Sequence, residues 1–385
     1  MNIAFDAKRY FHNTTGLGHY SRTLVNSLIE YYSENNYFLM NPKPSSKFAA
    51  PELSNVTEIN PPDNFYQFFT SAWRSKGMIG DLISNDIHLF HGLSHEIPIG
   101  IQKTKIKSVV TIHDIIFEKY PKQYNLMDVW IYRRKFKAAC KNSDKIIAIS
   151  QQTKNDLIEI YKVPEDKITV CYQSCNPSFL AQLPSEQLEC IRKRYNLPEK
   201  YLLYVGSIIE RKNLLNICKA IKQLKGDLSI PPLVVIGEGS QYKQEVENYI
   251  QAEDLGLDVV FLSDDLVAKS LITFKTAADF PAIYQMATAM IYPSIYEGFG
   301  IPVLEALCSR IPVITSNISC LPEAGGEGAF LIDPYNPSDI AAAIETILTD
   351  PNLVQKKIQK GILHAEKFNN KLVTDAVMGV YKSLF

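Results

Sequence analysis

Long apolar runs are missing from this chain: no stretch reaches the about 18 uncharged apolar residues that a membrane span requires, and no charged-then-apolar opening of signal-peptide type is present. Spanning and secreted classes are therefore not expected, and the sequence reads as cytoplasmic. Cysteine is sparse. The seven residues, an odd number scattered from Cys140 to Cys320, do not make a disulfide framework and suit buried thiols in a reducing compartment. Cys171 and Cys175 lack zinc-finger company and are not read as metal ligands. Net charge is low, at −1. The first 180 residues carry 21 Lys/Arg against 17 Asp/Glu, and the remainder 19 against 24. Such a mildly basic first half suits an anionic partner or a membrane surface but is far too weak for a nucleic acid. Short-period repeats and low-complexity tracts are absent.

What is present is length and apolar alternation. A chain of 385 residues with 46% apolar side chains exceeds one ordinary core and predicts two domains. Short apolar runs alternate with helical patterns, the signature of strand-helix units on a parallel sheet. In the first half the candidate strands are NIAFDA (2–7), IHLFH (87–91), KSVVTIH (107–113) and KIIAIS (145–150), with helices over 20–31 and 128–141. Prolines and polar residues in SCNPSFLAQLPSEQ (174–187) then mark the approach to a domain boundary, placed at 182/183. The alternation resumes with YLLYVGS (201–207), PLVVIGEGS (232–240), VVFLSD (259–264), AMIYPS (289–294), PVITSN (312–317) and AFLID (329–333).

Ligands of open parallel sheets lie beyond the carboxyl ends of the strands, so the loops there carry the chemistry. After the first strand, Gly16-Leu17-Gly18 opens a helix, where backbone N–H groups and the helix dipole can meet an anion. The turn departs from the dinucleotide fingerprint G-x-G-x-x-G, because position 21 is Ser. After KSVVTI come His113 and Asp114, a titratable pair that reads equally as a packed histidine and a helix cap. In VGSIIERKNL, Arg211 and Lys212 stand between a strand and a helix, a clamp suited to a diphosphate or an ordinary surface pair.

The fourth loop, YEGFGIPVLEAL (296–307), holds two glutamates. Pro302 suits the first turn of a helix that Gly298 and Gly300 free the backbone to enter. Glu297 then lies in the loop and Glu305 on the helix, and eight helical residues span roughly 12 Å of rise. Glycosidase carboxylates flank a single bond at about 5 to 9.5 Å. The pair is better suited to hydroxyls at two places on one long ligand, with phosphates between them, as in a nucleotide sugar.

Taken in order, TTGLGHYSRTL, TIHDIIFEKYP, VGSIIERKNL and SIYEGFGIPVLEAL resemble the retaining GT-B glycosyltransferases of family 4. The resemblance covers nearly the whole chain; its most specific marker is Glu297 and Glu305 with seven residues between them, and PVITSNISCLPEAGGEGAFLIDPYNPSDIAAAI follows as in relatives. It implies an α/β GT-B fold, two Rossmann-like parallel-sheet domains facing each other across a cleft. The N-terminal domain (1–182) would bind the acceptor and the C-terminal domain (183–370) the nucleotide sugar, with the amphipathic tail, about 371–385, packing back on the first. It also implies a retaining, metal-independent hexosyltransferase with no cofactor beyond its donor. In that family pattern Glu297 would bind a hydroxyl of the donor sugar and Glu305 the ribose, while Arg211 and Lys212 would stabilise the departing diphosphate. Backbone N–H groups of Phe299, Gly300 and Ile301 would complete the site, with Ser207 also on the donor. Gly16 and Gly18 would approach from the first domain, His113 would contact the donor sugar and Asp114 would orient its loop.

GDP-mannose is the first expectation for the donor, with UDP-hexose or dTDP-rhamnose behind it. The expected acceptor is a saccharide or lipid-linked glycan of a surface polysaccharide. LVAKSLITFKTAAD, ahead of FPAIYQ, is longer than the matching connection in relatives, which leaves base-contacting positions near Ser263 open. His88, His91 and His95 with Glu96 suggest a metal site, yet their loop resembles an acceptor-side segment and none is expected. WIYRRKFKAACKNSDK (130–145) suits either peripheral contact with the inner membrane surface or an ordinary solvated helix. A nicotinamide oxidoreductase and a non-catalytic nucleotide-sugar-binding protein are the alternatives from other classes.

Overall fold

A computed structural model describes residues 1–226 and 229–385. The chain divides into two compact units, Met1–Ser174 with Phe368–Phe385, and Cys175–Lys367. The divide thus falls at the start of the 174–187 stretch rather than at 182/183. The reason is local packing: Phe179 meets the Tyr284 ring edge-on at 5.2 Å, so this stretch is already part of the second core.

Unit 1 is built on a seven-stranded sheet: β1 (Asn2–Asp6), β2 (Asn36–Met40), β3 (Val56–Ile59), β4 (Leu89–Gly92), β5 (Lys107–Ile112), β6 (Lys145–Ala148) and β7 (Ile168–Val170). All pairs are parallel and the order is β3-β2-β1-β4-β5-β6-β7. A parallel sheet is covered on both faces, which is why β1, β4 and β5 are buried along almost their whole length, with the polar His91, Ser108 and Thr111 buried among apolar neighbours. Helix Gly16–Tyr31 packs Leu24, Val25 and Leu28 on this sheet. The C-terminal helix Asn370–Lys382 adds Val377, Met378 and Tyr381 to the same core. It is pinned by Tyr32 Oη donating to Asp375 at 2.7 Å and by a Tyr381–His91 hydrogen bond of 2.6 Å.

Unit 2 holds a six-stranded parallel sheet of β8 (Leu202–Val205), β9 (Leu233–Ile236), β10 (Val259–Phe261), β11 (Ala289–Tyr292), β12 (Val313–Ser316) and β13 (Ala329–Ile332), in the order β10-β9-β8-β11-β12-β13. Helix Leu214–Leu224 buries Ile217, Cys218 and Ile221, and helix Pro337–Thr349 buries Ile340 and Ile344 in the same cluster. The expected strands are all present; all but 87–91 are trimmed at their carboxyl ends, and that one starts later and ends one residue further on, as Leu89–Gly92. Three were missed. β3 is an edge strand whose residues all stay partly exposed, β7 has three residues, and β2 hides its YFLM run beside polar turn residues.

Candidate active site

In both units the strand order reverses once, between β1 and β4 and between β8 and β11. Loops leaving the carboxyl ends of such neighbouring strands diverge and open a crevice. The sequence-marked residues of unit 2 follow β8 and β11; those of unit 1 follow β1 and β5, the strand beside β4.

In unit 2 the β8 loop delivers Ser207, Arg211 and Lys212, and the β11 loop delivers Ser294 and Glu297. Three contacts stitch these loops to each other and to the loop after β13. Ile295 N–H donates to the Arg211 carbonyl at 2.8 Å, and Asn213 Nδ2 donates to the carbonyls of Pro293 at 3.2 Å and Pro334 at 2.6 Å. The result brings two cations onto one carboxylate. Glu297 Oε1 accepts from Arg211 Nη1 at 2.7 Å, Ser294 Oγ at 2.8 Å and Tyr292 Oη at 3.0 Å, and Lys212 Nζ stands 3.4 Å away. Lys212 also donates to Tyr292 Oη at 2.6 Å, and Arg211 to the Tyr296 carbonyl. Burial alone would raise the Glu297 carboxyl, but Lys212 and then Arg211 hold it below the usual carboxylate range. The same burial pulls the Lys212 ammonium down, against the attraction of Glu297. Gly206 gives Lys212 its place, because a Cβ there would fall 3.1 Å from Lys212 Cδ.

Helix Ile301–Cys308 starts immediately beyond Glu297, with Pro in its first turn. Its cap, Gly300, has φ +111°, and a Cβ there would lie 2.8 Å from Leu321 Cδ2, so only glycine enters the helix at this point. The first N–H groups of such a helix lack intrahelical partners and favour an anion. The Phe299 carbonyl is held from below by Cys320 Sγ at 3.1 Å. Glu305, one turn in, accepts from Tyr284 Oη at 2.9 Å. Burial raises its carboxyl to about 7, and the tyrosine bond offsets only part of that. The two glutamates therefore occupy separate hydrogen-bonding environments, one cationic and one neutral.

In unit 1 the β5 loop carries His113, which is buried. The Leu93 carbonyl can only accept, so the proton rests on Nε2 (2.9 Å), and Nδ1 accepts from Gln173 Nε2 at 3.1 Å. Its backbone N–H donates to His95 Nε2 at 2.8 Å, and Tyr20 meets its ring edge-on at 4.6 Å. Burial pushes the imidazole well below its ordinary value, so it is neutral. Asp114 accepts from Ile116 N–H at 2.9 Å and shapes the turn after β5. At the glycine turn the two residues differ. Gly18 is packed, with a Cβ there only 1.9 Å from the Asn13 carbonyl oxygen, whereas Gly16 faces open space. Beside β1, Asp6 pairs with Arg74 at 2.5 Å, and Arg74 approaches Glu96 at 3.6 Å.

Several of these groups escaped the sequence reading: Tyr292, Ser294, Tyr284, Asn213 and Gln173. Tyr292, Ser294 and Gln173 carried only the signal of position at or just past a strand's carboxyl end, whereas Tyr284 lies within helix Phe280–Gln285 and Asn213 at the start of helix Leu214–Leu224. His88, His91 and His95 do not converge. His88 accepts from Asn2 N–H at 2.8 Å, His91 bonds Tyr381 and Thr111, and His95 serves His113. Among the described residues no group of His, Cys, Asp or Glu is arranged to hold a metal ion, and no helix is long and apolar enough to cross a membrane.

Comparison with known proteins assigns each half of this geometry. The model of the glycosyl transferases group 1 family matches residues 189–364, and that of glycosyltransferase family 4 matches residues 16–179. The O-antigen chain mannosyltransferase B of Escherichia coli is 26% identical over 305 residues, covering 77% of this chain and 74% of that protein. The serotype-specific mannosyltransferase WbdA of Escherichia coli is 26% identical over 285 residues, covering 72% of this chain but only 34% of that longer protein. The Anabaena protein HepE, solved with UDP and glucose, superposes with a TM-score of 0.72 at 14% identity, over 99% of each chain. With one family description on each parallel-sheet unit, this chain belongs to the GT-B glycosyltransferases of family 4.

Proposed function

We propose that this glycosyltransferase moves mannose from GDP-mannose to a saccharide or lipid-linked saccharide acceptor in the assembly of a surface polysaccharide, with retention at the anomeric carbon and without a metal. The observation that carries the reading is the gathering of Arg211 and Lys212 on Glu297 at the β8/β11 reversal. Two cations already held in place supply the counter-charge that a departing diphosphate requires, and they need no reorganisation at the moment of reaction. Glu297 Oε1 orients the cations, which leaves Oε2 for a sugar hydroxyl. The N–H groups of Phe299, Gly300 and Ile301 extend the phosphate site, Ser207 adds a hydroxyl at its rim, and Glu305 takes the ribose.

The first unit takes the acceptor. Gly16, with open space at its α-carbon, admits close approach of a ligand to backbone. His113 is neutral and fully bonded, so it contributes position and shape rather than acid-base chemistry; exchange of the Gln173 bond would free Nδ1 for a sugar hydroxyl. In the transfer the anomeric C–O bond to the diphosphate breaks while the acceptor oxygen closes on the same face. The acceptor's proton passes to the leaving diphosphate oxygen, and no protein nucleophile takes part.

Mannose is supported by the mannosyltransferase names of the relatives, and a UDP-hexose is the second reading, favoured by the UDP and glucose of HepE. Thermal-shift measurement against GDP-mannose, UDP-glucose and dTDP-rhamnose tests the donor, followed by NMR assignment of the product anomer. Stabilisation by GDP-mannose above the others, with an α-linked product, is expected. Preference for UDP-glucose would replace the donor, and no response to any nucleotide sugar would overturn the reading.

A further inference from the structure

Unit 1 carries aromatic surface that the transfer does not use. Helix Leu126–Asn142 buries Val129, Phe136, Ala139 and Cys140, and turns Met127, Trp130, Ile131 and Arg134 to one exposed side. Met127 is 73% exposed and Trp130 58%. The Arg134 guanidinium lies 4.7 Å over the Trp130 ring. Trp130, Ile131 and Arg134 form one wall of a cleft of about 360 Å³, whose other wall is Ser75 and the segment 97–99.

This patch continues into a second one. Exposed Ile99 donates its N–H to the Ser75 carbonyl at 2.7 Å, and two residues on, Gly77 lies under the Tyr66 ring, where a Cβ would fall 2.7 Å from it. Tyr66 belongs to helix Asn64–Phe68, which presents Phe65 and Phe68 outward. Phe69 contacts both, at 5.0 and 5.2 Å between centroids, and Phe68 is 83% exposed. Exposed apolar surface of this extent marks an interaction site.

The charges around it choose the partner. Lys76, next to Ser75, and Lys137, on the same helix as Trp130, are exposed, beside Arg134 and the Glu96-paired Lys135. Of the nearby acids, Glu96 lines the cleft and is taken by Lys135 and Arg74, Glu118 near Lys137 is taken by Arg133, Asp63 caps Tyr66 N–H at 2.8 Å, and Asp128 is exposed. Aromatic and aliphatic tips ringed by long basic side chains match an anionic bilayer, with rings at the headgroup level and ammonium groups on the phosphates. We propose that unit 1 docks on an anionic phospholipid surface through the Phe65–Phe69 knob and the Trp130–Arg134 face. Docking in this way is independent of which donor unit 2 binds.

The chain's two tryptophans make the test specific. Trp73 is fully buried with its indole N–H on Asp81 at 2.7 Å, so vesicle-dependent emission reports Trp130. The full chain is sedimented with phosphatidylcholine vesicles, with and without phosphatidylglycerol, while tryptophan emission is followed. Binding to the anionic vesicles, weakened by salt, with a blue-shifted emission is expected. Phe65→Ser/Phe68→Ser lowers partitioning by about tenfold or more while leaving the unfolding midpoint in place. Lys137→Glu weakens it by about fivefold or more. No binding to anionic vesicles, or undiminished binding of the Phe variant with unchanged emission, overturns the proposal. An emission shift on a soluble oligosaccharide without vesicle binding also overturns it and gives the cleft to the acceptor.

Discussion

Glu297→Gln isolates the charge at the centre of the proposed donor site. The substitution keeps length and shape and removes only the carboxylate that Arg211 and Lys212 face at 2.7 and 3.4 Å. Side-chain exposures are 7% for Arg211, 14% for Lys212 and 13% for Glu297, so water screens little of the loss. Removing one partner of a buried pair costs about 3–5 kcal/mol. The lower end applies, because the glutamine oxygen still accepts from Ser294 and Tyr292 and Arg211 keeps the Tyr296 carbonyl. At about 2–4 °C per kcal/mol for a unit of this size, the unfolding midpoint should fall by roughly 6–12 °C. A diphosphate replaces the missing charge, so GDP should stabilise the variant more than the wild type. The pH dependence has a definite sign. The Glu297 carboxyl is held low, so its contribution is present above the unfolded value of about 4.3 and is lost as pH falls through the folded one. The two midpoints should therefore converge in acid. Differential scanning calorimetry with and without GDP decides the matter. A variant as stable as the wild type, or one stabilised less by GDP, would refute the counter-ion role.

Lys212→Ala should lower turnover by on the order of 100-fold to 1000-fold with folding intact, since Glu297 keeps Arg211; steady-state kinetics and a melting curve check it, and undiminished activity counts against the clamp. Glu305, raised to about 7 by burial, would in the proposed role accept from ribose hydroxyls as a carboxylate only above that pH. Nucleotide affinity measured by calorimetry should fall by up to about tenfold per unit as pH drops below 7, and Glu305→Gln should flatten the profile. An equal slope in the variant excludes Glu305 as the titrating group. Gly300→Ala places a Cβ at φ +111° against Leu321, at a cost of at least about 1–3 kcal/mol, and should lower both the unfolding midpoint and nucleotide affinity; an unchanged midpoint would refute the need for glycine there.

Much of the plan was legible because buried parallel strands are rich in apolar residues: β8, β9 and β11 are unbroken apolar runs, and β1, β4 and β5 are mostly so. Edge strands β3 and β7 and the outer β2 were not legible. Short or half-exposed strands obey no strong pattern, and tertiary pairing alone makes them strands. The site was legible as residue types: two cations, two acids, glycines at loop starts. Tyr292 and Tyr284 were not, since a tyrosine at a strand end or in a helix reads first as core.

From the sequence alone came the two parallel-sheet units and the loops that hold the chemistry, because hydrophobic periodicity and turn residues act locally along the chain. Only the tertiary structure decided that Glu297 is the counter-ion of the clamp as well as a candidate sugar ligand. Arg211 and Glu297 are 86 residues apart, and their meeting depends on β8 and β11 lying side by side where the strand order reverses. It also decided that both ring nitrogens of His113 are taken and that Glu305 stands without a cation, and these environments set the protonation of all three groups. Protonation follows from burial and neighbours brought together by the fold, which no local pattern encodes.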